Sequence, residues 1–178
     1  MNEAQQKKLK EYIGQNVLVS IYPNISEPEY FDLGFVLAVN DEFVLLNTVS
    51  QFGEETGFLL QCLDDIFMVC QDARYAEKME KLFQLKKQNK RTINFYMDDL
   101  LTDVLMYAKE NPCLIQVNND DNYVGYVTDC QDQMLELHMI GQYGENLGTA
   151  YIDFDTINIL DMDTVYLRDL QLLYGDRQ

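Results

Sequence analysis

The stretch GFVLAVNDEFVLL at 34–46 returns 91 residues later as GYVTDCQDQMLEL at 125–137. In both, a glycine opens an apolar-rich run, an acidic turn interrupts it, and a Leu-containing run follows. That is the pattern of two antiparallel strands joined by a short turn. The match continues on both sides of the turn. Residues 34–82 lie over 125–173 without a gap, and 13 of the 49 positions are identical, where chance gives about one in twenty. Identical pairs include Gly34/Gly125, Val36/Val127, Leu46/Leu137, Gly53/Gly144, Gly57/Gly148, Asp64/Asp155, Ile66/Ile157 and Tyr75/Tyr166. Upstream, Leu18-Val19-Ser20-Ile21 matches Leu114-Ile115-Gln116-Val117 at an offset of 96, because the first copy carries a longer loop from Pro23 to Asp32. We read the chain as an internal duplication, with domains at 1–91 and 92–178.

Each copy carries the same succession of elements. Helical spacing predicts a helix over 2–13 in the first copy and over 98–110 in the second, the latter with Asp98 as N-cap. Strands are expected over 17–22, 31–39, 43–50, 57–63 and 66–70, and over 113–117, 123–130, 134–140, 148–153 and 157–160. Turn-forming residues separate them. The glycines 53, 57, 144 and 148 are expected to supply positive φ or a bulge at matching hairpins. An amphipathic helix closes each copy. Residues 73–88 place Tyr75, Met79, Leu82 and Phe83 on one stripe, and 164–174 do the same with Val165, Leu167, Leu170 and Leu173. Five short strands per copy cover a core by curling into a closed barrel. The expected class is therefore mainly β with flanking helices (α+β), arranged as two tandem five-stranded small barrels.

The order of a helix then five strands, with a glycine-led second strand, resembles the Sm-like family, whose small barrels are also SH3-like. GFVLAVNDEFVLL and GYVTDCQDQMLEL are similar to the first Sm motif, although Asp41 and Asp132 stand one residue later than the family places its acid. LDDIFMV (63–69) and FDTINIL (154–160) are similar to the last strands of the second motif. Where the family carries a polar signature beside the Asp, this chain has Cys62-Leu63 and Asp153-Phe154. The resemblance implies ring-forming association through edge strands, with Phe58–Leu60 and Phe67–Val69 pairing with Thr149–Ile152 and Asn158–Leu160 within the chain, between chains or both; a homo-oligomer is the expectation if chains pair. It also implies single-stranded RNA as a family ligand.

Charge argues against RNA on the barrels. The 178 residues hold 13 Lys+Arg against 30 Asp+Glu, a net charge of -17. No Lys or Arg occurs between Lys10 and Arg74 or between Lys109 and Arg168, each interval holding eleven acids. Phosphate binding draws its affinity from cations, so nucleic acid is not the expected partner. The exception is the basic stretch Arg74 to Arg91. There Lys86, Lys87, Lys90 and Arg91 are candidate phosphate contacts in a helical linker, weighed against a solvated face that offsets the acidic copies.

Few parts for chemistry are present. His138 is the only histidine, and Asn47 takes its place in the first copy. Cys62, Cys70, Cys113 and Cys130 lack CxxC spacing and read as reduced core residues of a cytoplasmic protein. The acidic pairs Asp64-Asp65, Asp120-Asp121, Asp153/Asp155 and Asp161/Asp163 match no EF-hand spacing. The chain has no phosphate-loop or dinucleotide motif, no apolar run long enough to span a membrane, and a polar start unlike a signal peptide. No catalytic residue, cofactor or metal is assigned. Aromatics near strand ends and loops, Tyr30, Phe31, Phe52 and Tyr143 above all, are the candidate interaction residues, weighed against core or rim packing. The expected function is non-catalytic protein–protein interaction or scaffolding. An RNA-binding regulator using the linker and a divalent-cation-dependent acidic module are the competing expectations.

Overall fold

The computed structural model describes residues 3–23, 26, 29–71, 73–93 and 99–176. It divides into two compact units, Met1–Asn94 and Phe95–Gln178. The first runs α1 (Glu3–Tyr12), β1 (Leu18–Tyr22), β2 (Asp32–Val39), β3 (Phe43–Val49), β4 (Glu55–Cys62), a 3-10 turn (Leu63–Asp65), β5 (Met68–Cys70) and α2 (Ala73–Leu85). The second runs α3 (Leu100–Glu110), β6 (Leu114–Val117), β7 (Val124–Gln131), β8 (Met134–Ile140), β9 (Asn146–Asp153), a 3-10 turn (Phe154–Thr156), β10 (Ile159–Met162) and α4 (Val165–Asp176). Asp98, the expected cap of α3, lies outside the described residues. Asp99 does the capping, its Oδ1 accepting from the Leu101 and Thr102 amides at 3.1 and 3.3 Å.

The ten strands lie in open antiparallel order, which corrects the expectation of two closed five-stranded barrels. The first unit is ordered β5-β1-β2-β3-β4 and the second β10-β6-β7-β8-β9. Closure within a unit would require the strands at the two ends of each order to meet. Instead the three-residue β5 pairs with β1, and β10 pairs with β6. The barrel argument assumed that only curling could cover the apolar face. Helices cover part of that apolar surface here. In the first unit Leu18, Leu33, Phe35 and Val49 pack beneath Ala76, Met79 and Phe83 of α2. In the second, Leu114, Val124 and Ile140 pack beneath Leu167 and Leu170 of α4, and α3 buries Leu100, Leu101, Val104, Leu105 and Ala108. The stripe expected on α4 is narrower than the sequence indicated, since Val165 and Leu173 are exposed.

Strand register repeats between the units. Gly34 faces Thr48 and Val36 faces Leu46, and 91 residues later Gly125 faces Met139 and Val127 faces Leu137. The register slips between Val36 and Ala38 and again between Val127 and Asp129. At an offset of 96 for the first strand, Ile21 opposite Val69 becomes Val117 opposite Leu160. The hairpin glycines behave as expected: Gly53 and Gly144 turn at φ 71° and 79°, and Gly57 and Gly148 have φ 118° and 93° beside a bulge. Gly34 and Gly125 serve a different need. A Cβ on Gly34 would stand 2.7 Å from the Asn47 carbonyl oxygen, and one on Gly125 would come still closer to that of His138.

This close approach yields a prediction. Gly125→Ala is expected to lose about 1–3 kcal/mol by urea unfolding, the range for forcing extra atoms into packed structure. Gly175→Ala, whose Cβ would meet nothing within 4 Å, is expected to be neutral or to gain up to about 1 kcal/mol from helix propensity. Equal midpoints for the two variants would contradict the account.

Candidate interaction site

The basic stretch is mostly committed to its own unit. α2 ends at Leu85, so Lys86, Lys87, Lys90 and Arg91 follow the helix and do not extend it. Arg91 reaches back to β4: its Nε donates to Glu55 Oε1 at 3.1 Å and its guanidinium carbon stands 4.5 Å over the Phe58 ring. Its backbone amide donates to Asn47 Oδ1 at 2.8 Å. Buried Asn47 in turn donates through Nδ2 to Glu55 Oε1 and to the Gly57 carbonyl at 2.9 and 2.8 Å. Lys86 pairs with Glu54. Lys90 lies 5.3 Å from the centre of the Phe35 ring, and burial lowers its pKa. At the positions matching Asn47 and Glu55 the second unit has His138 and Asn146, so this network belongs to the first unit alone.

The four aromatic candidates separate into two kinds. Phe31 is an internal packing residue, its ring 5.1 Å from that of Tyr22 and 5.6 Å from that of Tyr75. Tyr30, Phe52 and Tyr143 are exposed. Within the copy-specific loop at 23–32, positions 24, 25, 27 and 28 lie outside the described residues. At the end of that loop, burial pushes the Asp32 carboxyl up to about 6. His138 meets only the Tyr174 hydroxyl among the hydrogen-bonding groups described, at 3.4 Å. The described residues bring no three His, Cys, Asp or Glu side chains together as a metal-ligand group. Their four cysteines are free thiols, and burial raises the Cys130 pKa.

β9 carries exposed apolar side chains, and its residues Thr149–Ile152 are among those the resemblance expected at a pairing edge. β9 pairs only with β8 among the described residues. Along it Leu147 is 50% and Tyr151 67% exposed, with Tyr143 63% exposed in the turn before it. The matching strand of the first unit, β4, is buried from Phe58 to Gln61. The residues differ as well: FLL at 58–60 is an apolar run, whereas TAYI at 149–152 puts a polar residue and a tyrosine on alternate positions. Beside β9 a cavity of about 320 Å³ opens, lined by Asn118, Tyr123, Tyr151, Asp153 and Thr156 among others. Tyr123 and Asp153 are far apart in the chain, and the sequence reads Asp153 only as half of an acidic pair. Only the return of the chain through the 3-10 turn brings them to one wall.

No family model, curated protein or solved structure matches the chain. Among the described residues no helix is long and apolar enough to cross a membrane.

Two outcomes follow from the electrostatics. Arg91→Gln is expected to lower stability by about 1–3 kcal/mol, because Glu55 then keeps a buried carboxylate without its charged donor. An unchanged unfolding free energy would refute this role. For Asp32, a folded pKa near 6 lies above the unfolded value of 3.8. The neutral carboxyl therefore favours folding at low pH, and that stability is lost as pH rises through about 6. Asp32→Asn should remove up to about 3 kcal/mol of this slope between pH 4 and 7, read from denaturant melts across that range. A parallel pH profile for variant and native protein would count against it.

Proposed function

We propose that this protein is a non-catalytic interaction module that takes an extended strand of a partner protein on the free edge of β9. The observation that carries the reading is the exposure of Leu147 and Tyr151 along a strand that pairs on one side only. An unpaired edge presents a row of backbone N–H and C=O groups, and strand addition satisfies them while flanking side chains select the sequence. A second copy of the chain, offering its own short edge strand β5, is the homo-oligomeric form of the same contact. The linker-based RNA reading is weaker, since Lys86 and Arg91 are engaged with Glu54 and Glu55. The divalent-cation reading has no convergent ligand group behind it among the described residues.

The matching registers of the two units support descent from one duplicated unit. Kinship with the Sm-like family is proposed on strand order and the glycine-led second strand only, without barrel closure. Four free thiols favour a reducing compartment, the cytoplasm.

The test uses the tagged full-length chain beside a Leu147→Lys/Tyr151→Lys variant. Self-association is followed by sedimentation velocity over a hundredfold concentration range, and protein capture from lysate is followed after nuclease treatment. The native chain should associate with itself or retain a protein partner, and the variant should lose that association at unchanged melting temperature. Identical behaviour of the two chains would reject β9 as the edge. Capture that nuclease abolishes and that Lys86→Gln/Lys87→Gln/Lys90→Gln removes would favour RNA instead.

A further inference from the structure

We infer that the cavity beside β9 receives a cationic side chain, an arginine or lysine carried by the strand that docks there. The inference rests on the strand-addition reading and adds what selects the partner. The cavity, about 320 Å³, is large enough for one long side chain. Tyr123 and Tyr151 contribute to its wall and are both exposed, so their ring faces are available to an incoming group. A cation over such a ring is attracted by the ring quadrupole. Asp153 supplies the counter-charge. Its Oδ1 accepts from the Asp155 amide at 3.1 Å, and its Oδ2 has no hydrogen-bond partner among the described residues.

Another part of the lining is held in place. Asn118, with φ 55°, donates to the Thr156 carbonyl at 2.7 Å and accepts from the Asn158 and Ile159 amides at 2.9 and 3.3 Å. The cavity is therefore bounded by a pinned turn on one side and by the edge strand on the other. Because Ala150 to Asp153 both line the cavity and form the edge, a strand laid on β9 carries one of its side chains over the opening.

Charge within the unit gives the ligand its sign. No Lys or Arg occurs from 110 to 167. The flanking cations are already placed, Lys109 on Asp129 at 2.8 Å and Arg168 near Asp163 at 3.9 Å. An anion would meet Asp153 with no cation to offset it. A divalent metal would find a single carboxylate where it needs six or more oxygens. The site also belongs to one unit only. The positions of Tyr123, Tyr151 and Asp153 are held in the first unit by Asp32, Leu60 and Cys62, which offer neither the ring pair nor that carboxylate.

The test titrates the full-length chain with a blocked heptapeptide, Thr-Val-Thr-Arg-Thr-Val-Thr, and with the same peptide carrying lysine or the neutral isostere citrulline at its centre. Binding is followed by NMR on backbone amides and tyrosine rings. The arginine peptide should shift Tyr123, Tyr151 and Asp153 resonances saturably, with lysine the weaker of the two cations. Citrulline should bind at least tenfold more weakly, as should the arginine peptide to Tyr151→Leu, a change to the residue the first unit carries, or to Asp153→Asn. Equal binding of arginine and citrulline peptides at β9 would overturn the cation site and leave strand addition standing. Shifts scattered over acidic residues without saturation would overturn it as unspecific attraction. No shift along β9 with any of the three peptides would overturn the cation site and count against strand addition as well.

Discussion

The passage of β2 over the Asn47 carbonyl, and of β7 over that of His138, is the constraint on which each unit is built. At 2.7 Å or less from where a Cβ would stand, only glycine lets the long second strand lie so close to its neighbour. Two residues later the bulge resets the alternation, so that side chains before and after it serve different faces. The register of the first strand on one side and of the third on the other follows from that fixed point. Displacing it by one residue would turn every apolar side chain of the strand to the wrong face.

Around this shared frame the units have diverged in their polar groups. The first uses Asn47, Glu55 and Arg91 to tie the chain after α2 back onto β4. The second has His138 and Asn146 at the positions of Asn47 and Glu55. Its β9 is open, and Tyr123, Tyr151 and Asp153, which stand where the first unit has Asp32, Leu60 and Cys62, line a cavity beside that edge. An exposed edge bearing a leucine and a tyrosine is ordinarily an aggregation hazard. The acids of the same unit, Glu136, Glu145, Asp153 and Asp155, and a net charge of -17 surround that edge with negative charge.

The likeness between the two halves, the element order and most element limits are legible in residues 34–82 and 125–173, because strand alternation and turn glycines are local properties. The helix over 98–110 was legible within two residues, although its cap is Asp99. The site was less legible. Tyr143 was recognised because it stands beside a turn glycine. Tyr151 was not, because a tyrosine at an alternating strand position looks like a core residue until its surroundings are known. Phe31 shows the opposite error: an aromatic in a loop that packs against Tyr22 and Tyr75.

The amino-acid sequence by itself determined the likeness of the two halves, the strand periodicity, the turn glycines and the separation of acidic stretches from the basic one, since each depends only on residue identity and spacing. Whether the sheets close, which strand is left exposed and which distant side chains share a cavity were decided by the tertiary structure. Those depend on what covers an apolar face, and α2 and α4 covered it where barrel curvature had been expected. A helix lid and a closed barrel bury the same apolar residues, so the periodicity of the strands is the same for both.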